Sequence, residues 1–182
     1  MPCMQKRDWK VYRMEKNMGD DEIMEDERYS RTGEAYIVRR LAREMTNELG
    51  EEKTLEIMYN AGRSLGEDFA AKKGGVYDPE EALEILRGHT IRSDSYAINV
   101  VDVYLGKDED YVAIIKIENC VIQRIVGQEF KKRPPLCRFS RGYIEGALSR
   151  LTGLDVKERV FKSEDEPFPT CHGRITFSKN SG

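Results

Sequence analysis

Residues 136–148 read LCRFSRGYIEGAL, and this stretch carries the pattern that decides the fold. Phe139 and Tyr143 recur at helical spacing, and two prolines just before the stretch suit the entry and first turn of a helix. Two glycines one turn apart would let another backbone approach closely. Cys137 lies in the first turn, where the positive helix end favours a thiolate. We therefore predict a buried helix with a sulfur at its start.

The length and the high share of charged residues favour a single, well-solvated globular domain. The chain has 182 residues, 35% of them charged, with a net charge of −3. Nearly balanced charge gives no reason to expect nucleic acid or an anionic membrane as partner. No signal peptide or spanning segment is visible, so we expect a cytoplasmic protein. Residues 1–31 contain few apolar side chains and are predicted to be an arm, either disordered or packed on a dimer partner, while 32–182 form the domain.

The spacing of apolar residues is helical in the first part of the chain and becomes strand-like at about residue 94. The early helices carry apolar stripes that include Leu41 and Leu49, and Gly62 and Gly66 call for tight packing against a neighbour. This order predicts an α+β fold, with N-terminal helices followed by an antiparallel sheet crossed by one long helix. The predicted helices are 32–49, 51–73, 79–88 and 135–152, and the strands 95–105, 111–119, 154–161 and 171–177, with 121–126 continuing the sheet.

Strand parity brings a candidate metal site to the start of the central helix. Successive strand residues point to opposite faces, so Glu158 and Cys171 share faces with apolar residues and point inward. Cys137, Glu158 and Cys171 could then converge, and His172 could join through a bulge at Gly173. The alternatives stay open: cysteines that are small core residues, as we expect for Cys120, and a Glu158 paired with a neighbouring cation.

The residues resemble the 4-vinyl reductase domain family. The resemblance rests on the run 59–69 (YNAGRSLGEDF), on the segment Cys137 to Gly146, and on Glu158 followed by a cysteine and a last strand ending at Phe177. It covers roughly residues 32–178. The family is related in fold to the TRAPP vesicle-tethering subunits and to haem nitric-oxide-binding domains.

The resemblance implies a homodimer that binds a small hydrophobic molecule, often with structural Zn²⁺. Carried over, the zinc ligands match Cys137, Glu158 and Cys171. A further cysteine of the family pattern falls on Phe161, which cannot bind metal, so Cys120 or His172 would have to replace it.

Three functions are compatible with these features. The first is a ligand-binding module whose pocket is lined by aromatic and aliphatic residues, namely Phe69, Tyr96, Ile98, Phe139 and Tyr143. The second, an enzyme acting on a tetrapyrrole vinyl group, rests on the family name, since the sequence offers no glycine-rich nucleotide loop. The third is a TRAPP-like scaffold with Gly62 and Gly66 in a dimer interface.

Overall fold

The computed structural model describes residues 33–106, 109–126, 135–161 and 171–179. The predicted arm, 1–31, lies outside the described residues. The elements, in chain order, are α1 (Gly33–Leu49), α2 (Glu51–Ala71), α3 (Pro79–Arg92), β1 (Ala97–Leu105), β2 (Tyr111–Glu118), α4 (Val121–Val126), α5 (Pro135–Thr152), β3 (Asp155–Phe161) and β4 (Cys171–Ser178). Helices precede an antiparallel four-stranded sheet, so the predicted α+β class is confirmed.

The sheet has the strand order β1-β2-β4-β3, with every neighbouring pair antiparallel. The predicted strands 95–105 and 111–119 correspond to β1 and β2, which form a hairpin with Leu105 opposite Tyr111. The prediction that 121–126 continue the sheet is wrong, because these residues form the short helix α4. Asn119 adopts a left-handed backbone conformation with φ 54°, which ends β2 and turns the chain away from the sheet.

The helix α3 begins as the sequence predicts but continues further. Asp78 accepts a hydrogen bond from the Glu81 backbone N–H at 2.9 Å, which is the expected N-cap. The predicted end at Gly88 is wrong, because α3 continues to Arg92 and a glycine inside a helix costs only about 1 kcal/mol. His89 is consequently a helical residue and not a loop residue.

Four glycines allow α2 and α5 to cross in backbone contact. A Cβ at Gly62 would collide with the Phe139 carbonyl, and one at Gly142 would collide with the Tyr59 carbonyl. Gly66 and Gly146 meet the partner helix in the same way. The close approach predicted for the central helix is confirmed. The prediction that Gly62 and Gly66 lie in a dimer interface is wrong, because both contact α5 of the same chain.

The core lies between α5, α3 and the sheet. Its fully buried large side chains include those at positions 83, 86, 98, 115, 144, 148, 151, 175 and 177. The stripe predicted on α1 is only partly buried, since Ala42 is covered whereas Leu41 and Leu49 are exposed. This helix packs on α2 and on α4, and those contacts leave part of its apolar stripe uncovered.

No helix among the described residues combines the length and the apolar composition that crossing a bilayer requires.

Candidate functional site

A cavity of about 420 Å³ lies between α2, α3, α5 and the loop before β1. We call it the aromatic cavity. Its lining includes four of the five residues that the sequence analysis placed in a ligand pocket, namely Phe69, Tyr96, Phe139 and Tyr143. Ile98, the fifth, is fully buried in the core and does not belong to the lining. Among the other lining residues are His89, Ile122, Ser140 and Leu65.

Three rings form one wall of the aromatic cavity. Phe69 and His89 stack with centroids 4.1 Å apart and an interplanar angle of 27°. Tyr143 lies 6.2 Å from Phe69 and 6.3 Å from His89. His89 reaches this position because α3 continues beyond Gly88. The sequence did not lead us to predict that His89 lies in this wall. The signal that could have indicated it is the helical spacing between His89 and the buried residues of α3.

The titratable groups of this wall are neutral at physiological pH. Burial raises the pKa of Tyr143 to about 12. Burial also raises the pKa of Tyr96, while the neighbouring Ser140 hydroxyl opposes the shift. Burial lowers the pKa of His89, and the charges of Arg92 and Lys73 lower it further. The wall therefore presents rings and neutral polar groups, which suit an uncharged molecule.

The Tyr143 hydroxyl is buried and has no hydrogen-bond partner within the part of the chain that the structure describes. Leaving a buried hydroxyl unsatisfied costs about 1–3 kcal/mol. A bound molecule with one hydrogen-bonding group would remove that cost. The Tyr96 hydroxyl in the same lining is also buried without such a partner, but it lies close to the Ser140 hydroxyl. Burial alone shifts the pKa of Tyr143, so its hydroxyl is the polar feature of the aromatic cavity most suited to orient a ligand.

A second, smaller cavity of about 240 Å³ adjoins the first. We call it the thiol cavity, because Cys120, Cys137 and Cys171 line it together with Glu158. The inward orientation predicted from strand parity is confirmed for Glu158, which is 1% exposed and follows the buried Val156 on the same face. The structure therefore brings three of the predicted metal-binding residues to one cavity.

His172 is placed elsewhere. The register of β4 against both neighbours is continuous through Gly173, so the bulge that would turn His172 inward is absent. Alternation then directs its side chain to the face opposite Cys171. The sequence analysis overestimated this residue because glycine permits a bulge without requiring one.

The described residues contain no group of three or more His, Cys, Asp or Glu side chains arranged to hold a metal ion. Cys137, Glu158 and Cys171 line one cavity without forming such a group. The Cys171 sulfur accepts a hydrogen bond from the Gln123 side-chain amide at 3.1 Å.

A buried carboxylate fixes the wall behind the thiol cavity. Glu145 is 1% exposed and accepts hydrogen bonds from the Tyr59 hydroxyl at 2.5 Å, from Arg141 Nε at 2.8 Å and from the Glu158 backbone N–H at 2.8 Å. It joins α2, α5 and β3. The sequence analysis missed this network, although an acidic residue between two helix-packing glycines is a visible signal. These hydrogen bonds indicate a structural role for Glu145, because all three donors belong to the packed elements α2, α5 and β3.

The two cavities share part of their lining, since Ser140 and Ile122 belong to both. Tyr96 lies close enough to Glu158 and Cys120 for their charges to raise the pKa of its phenol. A molecule in the aromatic cavity would therefore lie within one side chain of the thiol cavity.

Comparison with known proteins bears on the fold. No protein-family model matches the chain. The structure is similar to that of the phenol-responsive sensory domain of the transcription activator PoxR with phenol, with a TM-score of 0.60, 16% identity, and coverage of 79% of this chain and 74% of that one. At this identity the likeness shows the fold alone. A stretch of 68 residues is 28% identical to protein translocase subunit SecA of Prochlorococcus marinus (strain AS9601), covering 37% of this chain but only 7% of that protein.

Proposed function

We propose that this domain is a sensor-type module that binds a small, uncharged, largely apolar molecule in the aromatic cavity. The observation that carries the proposal is the buried Tyr143 hydroxyl, which has no hydrogen-bond partner among the described residues and is set among rings at a cavity of about 420 Å³. That volume falls within the roughly 300–1,000 Å³ of small-molecule sites. The fold shared with a phenol-responsive sensory domain supports it, as does the resemblance to the 4-vinyl reductase domain family.

The chemistry of the wall predicts which molecules bind. Stacked rings favour a flat aromatic body, since ring pairs add about 0.5–1.5 kcal/mol beyond area burial. A carboxylate would lose its hydration against the three rings, and the positive charge of Lys72 in the lining is offset by Asp68 in the same lining, so no net positive charge compensates that loss. A neutral ring with one hydroxyl is therefore preferred over a ring with a carboxylate.

Calorimetric titration of the purified chain with phenol, toluene and benzoate tests this proposal. We expect phenol to bind best, toluene more weakly and benzoate not at all. The variant Tyr143→Phe should bind toluene as before and lose most of the preference for phenol, while its thermal stability is kept. If neither phenol nor toluene binds to a chain that is demonstrably folded, the proposal fails.

Zinc bound by Cys137, Glu158 and Cys171 stays a prediction. Metal analysis of the purified chain, compared with the Cys137→Ser and Cys171→Ser variants, decides it. Zinc present in the wild type and lost in both variants would support the site. Its absence would remove the metal and leave the aromatic cavity unaffected.

The two alternatives from sequence are tested separately. Turnover of a divinyl tetrapyrrole with NADPH would displace the sensor proposal in favour of an enzyme. A TRAPP-like scaffold requires a stable homodimer, and its interface cannot be the one first predicted, because Gly62 and Gly66 are covered by α5.

A further inference from the structure

The aromatic cavity is lined by two buried phenol hydroxyls, and a ligand with one hydroxyl beside Tyr143 meets only the first. Tyr96 and Tyr143 are both buried, and both belong to this lining. Neither phenol oxygen has a hydrogen-bond partner among the described residues. A buried hydroxyl without a partner is costly, so each of the two favours a molecule that brings a hydrogen-bonding group to it.

The two hydroxyls face separate positions in the cavity. Burial raises the pKa of Tyr96, and the Ser140 hydroxyl opposes that rise, so the Ser140 side chain lies beside the Tyr96 phenol oxygen. Burial alone raises the pKa of Tyr143, so its oxygen does not share this neighbour. A single ligand hydroxyl placed beside Tyr143 therefore leaves the Tyr96 hydroxyl unmet.

Both positions nevertheless lie near the same turn of α5. Ser140 and Tyr143 are three residues apart on this helix, and side chains at that spacing are neighbours on a helix surface. Tyr96, directly before β1, reaches the same turn because its phenol lies beside Ser140. An ionised Tyr143 would also raise the pKa of Tyr96, so each phenol lies within reach of the other's charge. Groups that meet both hydroxyls must therefore project from one side of a ligand.

We infer that the preferred ligand is an aromatic ring with two hydroxyl groups in ortho or meta relation, one beside Tyr143 and the other between Tyr96 and Ser140. The inference rests on the proposed function, because it concerns the same cavity. Hydroxyls in para relation point to opposite ends of a ring, so one of them would miss this turn of α5. Two neutral hydroxyls also avoid the cost of burying a charge.

The protonation of the two tyrosines suits this arrangement. Because their pKa values are raised, Tyr96 and Tyr143 keep their protons at physiological pH. A neutral phenol both donates and accepts hydrogen bonds, and so does a ligand hydroxyl. Either partner can therefore rotate its hydrogen to complete each pair.

Calorimetric titration of the full chain with phenol, catechol, resorcinol and hydroquinone under nitrogen tests the inference. We expect catechol or resorcinol to bind about fivefold or more tightly than phenol, which is the gain that one added net hydrogen bond supplies. Hydroquinone is the matched control ligand, because it has the same composition and carries its second hydroxyl at the far end of the ring. It should bind no more tightly than phenol.

Two tyrosine variants locate the second hydroxyl. Tyr96→Phe should reduce the affinity for the better diol to that for phenol, while phenol itself stays within about twofold of the wild type. Tyr111→Phe is the matched control, because the Tyr111 hydroxyl is also buried without a partner among the described residues but does not line this cavity. That variant should keep the wild-type order of ligands.

The outcomes separate this inference from the proposed function. If phenol binds and neither catechol nor resorcinol binds more tightly, the inference is overturned and the proposed function stands. Hydroquinone equal to the best isomer, or a Tyr96→Phe variant that weakens phenol as much as the diol, would also overturn the inference. If a folded chain binds none of these molecules and no toluene, the proposed function fails and the inference fails with it.

Discussion

The aromatic cavity and the thiol cavity are neighbours built from the same two turns of α5, yet they differ in chemistry. Phe139 and Tyr143 project to the first, whereas Cys137 and Arg141 project to the second. Residues four apart share a helix face, so each pair points the same way and the two pairs diverge. A third face, carrying the glycines, packs on α2. One stretch of helix thus separates a cavity lined by aromatic rings from one lined by thiols and a buried carboxyl group.

This difference indicates which of the two cavities is suited to an exchangeable ligand. The thiol cavity is smaller and backed by the Glu145 network, whose donors come from three elements. The aromatic cavity is larger, and two buried phenol hydroxyls in its lining, those of Tyr96 and Tyr143, have no hydrogen-bond partner among the described residues. Anchored polar groups hold a scaffold in place, while an unmet polar group gains from a bound molecule.

Removing the backbone contact between α2 and α5 should abolish both cavities at once. In Gly142→Ala the new Cβ collides with the Tyr59 carbonyl, which belongs to the backbone and cannot rotate away. We expect a loss of about 3 kcal/mol or more in the free energy of unfolding, measured by chemical denaturation. Gly33→Ala is the control, because a Cβ there meets no atom within 4 Å. Equal stability of the two variants would refute the close crossing.

Removing the Glu145 carboxylate should affect the thiol side more than the aromatic side. Glu145→Ala leaves the Tyr59 hydroxyl, Arg141 and the Glu158 N–H without their acceptor, and we expect a loss of about 2–3 kcal/mol. Glu67→Ala, which removes another Arg partner four residues away, breaks only an exposed pair and should cost under about 0.5 kcal/mol. A ligand of the aromatic cavity should still bind to folded Glu145→Ala. Comparable losses in both variants would contradict the anchoring role.

The smallest expected effect is on pH dependence. His89 has a folded pKa below its ordinary value of 6.5, so the unfolded chain binds more protons between the two pKa values. Its contribution to stability is therefore fully present above about pH 6.5 and declines as the pH falls below it. Denaturation at pH 7.5 and pH 5.0 should show a decline that His89→Phe, which keeps the ring stack, reduces. An identical decline in that variant would assign it to other groups.

The sequence predicts the structure best where the helical spacing or the strand alternation of apolar residues alone determines which side chains face inward. Helical spacing around Tyr143 predicts α5, and strand alternation predicts that Glu158 and Cys171 point inward. Phe69, Phe139 and Tyr143 line one cavity for the same reason, since they lie on inward faces of α2 and α5, and Tyr96 joins them from the position directly before β1.

The predictions from sequence fail where contacts between distant parts of the chain determine the local structure or the partner of a residue. A short apolar segment such as 121–126 fits a strand or a helix equally well, and the positive φ of Asn119 settled it. The partner of Gly62 cannot be read from spacing, because a tight helix contact looks the same within a chain and between chains. The Glu145 network depends on donors from three distant segments, which no local pattern links.

The central claim is that ligand binds in the aromatic cavity and not in the thiol cavity. Leu65 lines only the first and Leu55 only the second, and both lie on α2. Titrating phenol into Leu65→Trp and Leu55→Trp therefore makes the same substitution on the same helix at each cavity. We predict that Leu65→Trp weakens phenol binding by about tenfold or more while Leu55→Trp leaves it within about twofold of the wild type. The reverse order would contradict the claim.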